Sequence, residues 1–179
     1  MRLALVSIAS VAALAGCSAV PPADMPALAQ VSHVDLPRYM GDWYVIACIP
    51  TFVEAHAWNE VESYRLDADG SIPTHLRFND GATGGPLKEH DSRAFVQEGS
   101  GNAVWGEQYV WPFKADYRIA WLAPDYGEVV VAREKRDYVW IMARTPTIPD
   151  ADLARLTAFV GTQGYDVAKL RRVPQEVGR

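Results

Sequence analysis

Eight short segments of strand-like composition follow one another along most of this chain, and their number and spacing constrain the fold more than any other feature. The first of them is rich in aromatic and β-branched residues, and turn-forming sequences such as Asn79-Asp80-Gly81 separate the segments. The segments are 42–49, 61–66, 71–78, 92–97, 103–110, 117–122, 128–133 and 138–144. Neither an internal repeat nor an alternation with helices is present, so the sequence predicts an antiparallel sandwich or barrel.

One segment after the strands has the periodicity of a helix. Pro149 suits the first turn, and Gly164 is a suitable stop. Between them runs an apolar stripe, which predicts that one face of the helix lies on the outside of the sheet. The stripe consists of Leu153, Leu156, Phe159 and Val160. A short extended piece is expected at 169–173.

Two motifs near the ends of the strand series resemble the signatures of the lipocalin family. Gly41-Asp42-Trp43-Tyr44 opens the first strand, and 136–146, which contains Tyr138 and Arg144, is similar to a stretch of bacterial lipocalins and apolipoprotein D relatives. The resemblance implies an all-β fold, an eight-stranded antiparallel up-and-down lipocalin barrel with one C-terminal helix packed outside. It also implies structural roles for Gly41, Trp43, Tyr138 and Arg144, with the Trp43 ring across the closed base and Arg144 against it.

The N-terminus indicates export and a lipid anchor. Arg2 provides a positive start, and the apolar stretch 3–15 is too short to span a membrane. Leu14-Ala15-Gly16-Cys17 resembles the bacterial lipobox, whose cysteine takes a diacylglycerol. The alternatives are an ordinary signal peptide with a chance cysteine, or a disulfide between Cys17 and Cys48.

The expected organisation follows from these assignments. A lipoprotein signal peptide occupies 1–16, a lipidated Cys17 with a flexible tether occupies 17–34, the lipocalin domain occupies 35–175, and 176–179 form a tail. By resemblance to bacterial lipoprotein sorting, Ser18 after the cysteine implies the outer membrane, with the domain on the periplasmic face.

Composition limits the partners. With 49% hydrophobic residues and a net charge of −5, the chain is globular and lacks the basic footprint of a nucleic-acid-binding protein. Membrane contact is expected through the lipid on Cys17, and the other partner is a lipid-like small molecule. The four histidines show no metal-binding spacing, and no cofactor is expected. The sequence leaves open whether the barrel acts alone or as a homodimer.

Strand alternation predicts which side chains face the inside of the barrel. An eight-stranded barrel has room for one small ligand, and most of the predicted lining is apolar or aromatic, as a lipid-like ligand requires. The alternative is that these side chains simply fill the barrel. The candidate ligand-binding residues are Val45, Ala47, Glu60, Glu62, Tyr64, Leu66, Ile72, Leu76, Phe78, Trp105, Tyr117, Ile119 and Trp121.

Glu60 and Glu62 do not fit an apolar pocket, because a buried carboxylate without a partner is costly. They could pair with an arginine such as Arg77, Arg93 or Arg118. They could instead meet a cationic group of an amphiphilic ligand. A register that differs by one residue would turn both to solvent.

The leading functional hypothesis is a carrier that binds, stores or transports a fatty acid, a lysophospholipid or a similar lipid. One alternative is a lipocalin-fold enzyme acting through Cys48, the thiol left after lipidation of Cys17. Strand alternation predicts that Cys48 faces away from Trp43, and we expect it to be a small side chain that fills buried space. No positively charged residue lies beside it in the sequence, so nothing indicates a reactive thiol. No hydrolase motif is present, so no catalytic residue is expected. The other alternative is an interaction module of the envelope.

Overall fold

The computed structural model describes residues 27–176. The strands of this part of the chain are β1 (Gly41–Ile49), β2 (Ala57–Tyr64), β3 (Ile72–Asp80), β4 (Leu87–Val96), β5 (Val104–Val110), β6 (Phe113–Leu122), β7 (Glu128–Ala132), β8 (Val139–Ala143) and β9 (Arg171–Arg172). The helices are α1 (Leu36–Tyr39), α2 (Asp150–Thr162) and a 3-10 helix (Val167–Lys169). The expected signal peptide and Cys17 lie outside the described residues.

The sheet closes on itself. Neighbouring strands are antiparallel in the order β2-β3-β4-β5-β6-β7-β8-β1, and β2 returns to pair with β1, where Trp43 lies opposite Glu62. The predicted eight-stranded antiparallel barrel with one C-terminal helix outside it is therefore confirmed. β9 adds a short pairing to β1, within the extended piece expected at 169–173. The one-turn helix α1 was not predicted.

Two apolar clusters lie on opposite sides of the barrel wall. The inner cluster includes Trp43 and Val45, and the outer cluster lies between helix α2 and the neighbouring strands. Leu153, Leu156 and Val160 of α2 are buried in the outer cluster, as the predicted stripe requires. Apolar side chains therefore cover both faces of this part of the wall and shield it from water.

Two β-bulges change which side chains face inward. The pairing of β1 with β8 shifts between Val45 and Ala47, and the pairing of β6 with β7 shifts between Ile119 and Trp121. An extra residue reverses the alternation beyond it. Ala47 and Trp121 were predicted to line the cavity, but both belong to the outer cluster. For the same reason Cys48, expected to face away from Trp43, lies in the inner cluster.

The strands differ from the predicted segments mainly in where they begin. β2 begins at Ala57 rather than at 61, β4 at Leu87 rather than at 92, and β6 at Phe113 rather than at 117. β2 also ends at Tyr64, so Leu66 lies beyond the strand and is 36% exposed. Leu66, expected on the cavity wall, is thus on the surface near the β2–β3 turn.

Part of the expected tether belongs to the folded domain. Leu28 and Val34 are buried. The amide of Val31 donates to the Ile119 carbonyl at 3.1 Å, and that of Val34 donates to Gly101 at 2.8 Å. These contacts hold residues 28–34 along the barrel, so the domain begins before the expected boundary at 35.

Candidate functional site

One end of the barrel is closed by Trp43 and Arg144. The Arg144 guanidinium carbon lies 3.8 Å from the centre of the Trp43 ring, a cation–π contact. The guanidinium also donates to four main-chain carbonyls at 2.8–2.9 Å, those of Arg38, Tyr39, Met40 and Asp42. Gly41 adopts a φ of +94°, a conformation that favours glycine, where the chain enters β1.

Five aromatic side chains fill the barrel above this closed end. We call them the aromatic plug: Tyr39, Trp43, Tyr64, Trp105 and Tyr117. The rings of Trp105 and Tyr117 stack with centres 4.7 Å apart, and the Tyr117 hydroxyl lies 2.8 Å from the hydroxyls of both Tyr39 and Tyr64. Trp105, predicted to bind a ligand, is thus a buried member of the plug. The plug leaves only the opposite half of the barrel for a ligand.

A cavity of about 370 Å³ occupies the open half of the barrel. Leu76 and Tyr117 are the two predicted ligand-binding residues on its wall. Val45, Ile72 and Ile119 lie deeper, in the inner cluster, and Phe78 is buried beside Ala57. The wall is formed by Thr51, Phe52, Val53, Glu54, Leu76, His90, Glu107, Tyr109, Ala115, Asp116, Tyr117, Arg133, Tyr138 and Trp140.

Most of this wall was missed from the sequence, for two different reasons. Glu107 and Tyr109 follow Trp105 at alternate positions on β5, so strand alternation could have found them. Glu54 and Phe52 come from the β1–β2 loop, which has no periodicity to read. Tyr138, expected to be structural, also lines the cavity.

Glu60 and Glu62 are both buried, with 0% and 7% of their surface exposed. The alternative register that would turn them to solvent is therefore wrong. The expected arginine partners are engaged elsewhere or lie on the surface. Arg93 pairs with Asp67 at 2.9 Å, Arg118 pairs with Glu134 at 3.2 Å, and Arg77 is exposed.

Four glutamates form a group inside the barrel, and we call Glu54, Glu60, Glu62 and Glu107 the glutamate cluster. Each is less than a tenth exposed. Burial raises the pKa of Glu60, Glu62 and Glu107, and neighbouring carboxylates raise the pKa of Glu60 and Glu62 further. Glu60, Glu62 and Glu107 therefore tend to retain their protons.

Cys48 is fully buried, and burial raises the pKa of its thiol far above the ordinary value, with the charge of Glu60 as the next cause. A thiol in this state is a poor nucleophile. Between residues 27 and 176, no group of three or more histidine, cysteine, aspartate or glutamate side chains is arranged to hold a metal ion. No helix of that region is both long enough and apolar enough to cross a membrane.

Comparisons with known proteins agree with this architecture. A family model described as a lipocalin-like domain matches residues 34–175. The outer membrane lipoprotein Blc of Escherichia coli is 28% identical over 98% of each chain, and temperature-induced lipocalin-1 of Arabidopsis thaliana is 28% identical over 81% of each chain. Insecticyanin of Manduca sexta superimposes with a TM-score of 0.64 at 13% identity, covering 86% of this chain and 87% of that one. The chain belongs to the lipocalin family.

Proposed function

We propose that this protein is a lipid-anchored lipocalin that binds a hydrophobic or amphiphilic ligand in its barrel and stores or carries it at the outer membrane. The observation that carries the proposal is the cavity of about 370 Å³ at the open end, with Phe52, Leu76 and Trp140 among its apolar walls. Small-molecule sites typically measure about 300–1,000 Å³ and have mostly apolar walls. Fatty acids, lysophospholipids and similar lipids are the expected ligand classes.

The sequence and the similar proteins both support the proposed lipid anchor on Cys17. Cys17 lies in a lipobox-like tetrapeptide. The matched proteins of Escherichia coli and Citrobacter freundii, 28% and 29% identical to this chain, are both named outer membrane lipoproteins. A diacylglycerol on Cys17, with a further acyl chain on its amine, would hold the protein firmly on the periplasmic face.

The open end of the barrel has features that suit a nearby membrane. Phe52, Trp111 and Phe113 project there and are 87%, 81% and 76% exposed. The described chain also begins at this end, where the Ala29 amide donates to the Gln163 side chain at 2.8 Å. The Gln163 carbonyl in turn accepts from Arg136 in the β7–β8 turn, beside the cavity. Ligand exchange with a membrane through the open end is consistent with this arrangement.

Catalysis through Cys48 has no support in this arrangement. The thiol is fully buried in the inner cluster and is absent from the cavity wall. Its raised pKa disfavours the thiolate that a nucleophile requires. Binding without bond breaking accounts for the site.

The cavity is tested with the chain lacking residues 1–17, which retains the whole described domain. We expect native mass spectrometry to detect a co-purified apolar ligand and an apolar fluorescent probe to bind. Ala115→Trp fills the cavity and should abolish probe binding, whereas Ala158→Trp, on the exposed face of α2, should leave it unchanged. Equal probe binding by both variants contradicts the proposed site.

The anchor is tested with the full chain. After cell fractionation and a salt wash we expect the wild type in the outer membrane and Cys17→Ser released from it. Mass spectrometry of the N-terminal peptide should show acyl chains beginning at Cys17. A soluble wild type, or an unmodified Cys17, contradicts the anchor but leaves the cavity proposal standing.

A further inference from the structure

Arg133 is the charged side chain on the cavity wall that has hydrogen-bond donors to spare. It directly follows β7, in the turn at the open end of the barrel, and lines the cavity. Among residues 27–176 its ionic partner is Asp137, with a carboxylate oxygen 3.5 Å from the guanidinium, and its buried Nε has no hydrogen-bond partner. A separation of 3.5 Å is long for a hydrogen bond. The protein therefore leaves most of the five N–H donors of this guanidinium without an acceptor.

The main chain and the side chain of Arg133 are both held in place. The buried Tyr165 hydroxyl accepts from the Arg133 amide at 2.7 Å and donates to the Arg133 carbonyl at 2.9 Å. The guanidinium carbon lies 5.1 Å from the centre of the Tyr138 ring, within the range of a cation–π contact. The side chain is 17% exposed, so it is largely withdrawn from water. A donor that is fixed before binding loses little entropy when an acceptor arrives.

The carboxyl groups on the same wall already accept hydrogen bonds from the protein. Glu54 accepts from the Trp140 indole at 3.0 Å, and Glu107 accepts from Ser92 at 2.7 Å. Asp116 accepts from a main-chain amide of the β7–β8 turn at 2.7 Å. Burial also raises the pKa of Glu107, which reduces its negative charge. These carboxyl groups therefore do not depend on a donor from a ligand.

The hydrogen-bonding groups at the inner end of the cavity are directed at one another. The Tyr117 hydroxyl on the wall lies 2.8 Å from the hydroxyls of Tyr39 and Tyr64, inside the aromatic plug. Leu76 adds an apolar surface beside it. The inner end therefore suits the apolar part of a ligand, and the open end beside Arg133 suits its polar part. The cavity of about 370 Å³ is at the small end of the usual range for ligand sites, which favours a compact ligand.

We propose that Arg133 determines which head group the cavity accepts, because its guanidinium binds an oxygen acceptor of a compact ligand whose apolar part lies inward. The inference rests on the proposed ligand-binding function and narrows its ligand class to amphiphiles with such an acceptor. A carboxylate takes two parallel hydrogen bonds from a guanidinium, and an uncharged carbonyl also accepts from it. Both bonds are stronger in a site that is largely shielded from water. An ammonium head group has donors only and meets like charge at Arg133.

The test is calorimetric titration of the chain lacking residues 1–17 with three probes of equal chain length: octanoate, 2-octanone and octylamine. Near neutral pH we expect at least one of the two acceptor probes, octanoate or 2-octanone, to bind about tenfold tighter than octylamine, because a hydrogen bond to a charged donor is added. Tighter binding of octanoate identifies a carboxylate head group, and tighter binding of 2-octanone identifies an uncharged carbonyl. Octylamine binding as tightly as both acceptor probes, or more tightly, overturns the proposal. The carrier function stands in that case if the apolar fluorescent probe still binds, and it falls too if that probe fails.

Variants at Arg133 locate the effect. Arg133→Met should lower the affinity of the preferred acceptor probe about tenfold and should not lower that of octylamine, because it removes the donors and the positive charge together. Arg133→Lys keeps the charge but loses the planar fork of donors, so its affinity should lie between those of Arg133→Met and wild type. Arg65→Met, at an exposed position just after β2 at the closed end, is the matched control and should change no affinity. Equal losses for all three probes in Arg133→Met, or no loss for any, overturn the proposal.

Asp137 provides a test in the opposite direction. Its carboxylate is the ionic partner of Arg133, so it competes with an acceptor from the ligand. Asp137→Asn removes this charge and keeps an oxygen for the Tyr138 amide, which donates to Asp137 at 3.0 Å. We expect the preferred acceptor probe to bind about two- to fivefold tighter to this variant, the range that a weak ion pair allows. Unchanged or weaker binding overturns the proposal, since a purely structural Arg133–Asp137 pair gives no gain when it is broken.

Discussion

The Arg144 guanidinium lies 3.8 Å from the centre of the Trp43 ring, and this contact ties the end of β8 to the beginning of β1 across the closed end of the barrel. The same guanidinium donates to carbonyls of α1 and its flanking residues, such as Tyr39 at 2.8 Å. One side chain thus holds the helix, the first strand and the last barrel strand together.

Replacing Arg144 should destabilise the folded protein. Arg144→Leu loses a cation–π contact and leaves several carbonyls without donors, so we expect a loss of about 2–4 kcal/mol in the free energy of unfolding, measured by urea denaturation. Arg155→Leu is the matched control, because Arg155 also covers a tryptophan, Trp121 at 4.8 Å, but is about half exposed. It should cost less than about 1 kcal/mol. Equal losses would refute the role given to Arg144.

The buried carboxyl group of Glu60 should make the stability of the fold decrease as the pH rises. The pKa of Glu60 is raised in the folded protein, by burial first and then by Glu54, so the unfolded chain loses this proton at a lower pH than the folded one. The stabilisation that the protonated Glu60 carboxyl contributes is complete below the ordinary carboxyl pKa of about 4.5. It is lost as the pH rises towards the pKa that Glu60 has in the folded protein. Each such group contributes a slope of up to about 1.4 kcal/mol per pH unit. The charged neighbours are Glu54 in the β1–β2 loop, Glu62 on β2 and Arg171 on β9.

Glu60→Gln should therefore reduce the slope of the free energy of unfolding against pH. The stability of the variant relative to wild type should increase from pH 5 to pH 8, roughly the range above the ordinary carboxyl pKa. Thermal or urea unfolding across that range measures the effect. Glu98→Gln, at an exposed site, should follow the wild type. A Glu60→Gln protein that loses stability relative to wild type as the pH rises would contradict the buried, protonated state.

Cys48 should resist thiol reagents. In the chain lacking residues 1–17 it is the single cysteine, it is fully buried, and burial raises the pKa of its thiol. Labelling then has to wait for the barrel to open, so we expect a rate roughly a thousandfold or more below that of the unfolded chain. Ala158→Cys combined with Cys48→Ser places one thiol on the exposed face of α2 and should label rapidly. Fast labelling of Cys48 would refute the inward position that the β1 bulge gives it.

The exposed aromatic side chains at the open end should affect ligand exchange and not stability. Trp111→Ser with Phe113→Ser removes two side chains that are 81% and 76% exposed, so the free energy of unfolding should change by less than about 0.5 kcal/mol. Transfer of an apolar fluorescent probe from vesicles to the protein should slow. The matched pair Val167→Ser with Ala158→Ser, on the helical side of the barrel, should leave transfer unchanged. Unaltered transfer in the first pair would separate these residues from membrane exchange.

The fold was largely predictable because its signals are local. Strand composition and turn residues predicted eight antiparallel strands, and the stripe of Leu153, Leu156 and Val160 predicted which face of α2 is buried. The site was predictable only where alternation ran without interruption. Leu76 and Tyr117 reached the cavity wall as expected, whereas Ala47 and Trp121 did not, because a bulge precedes each of them.

The sequence by itself determined the order of the strands and the signature residues Trp43 and Arg144, but it left open whether Glu60 and Glu62 face the interior. Only the tertiary structure decided that Glu60 and Glu62 are buried and that Glu107 of β5, which is far from them in the chain, joins them and Glu54 inside the barrel. It also decided that aromatic rings fill the closed half and leave a small cavity in the open half. Hydrogen bonding and burial along the chain specify strands, but closure of the sheet determines which side chains share the interior.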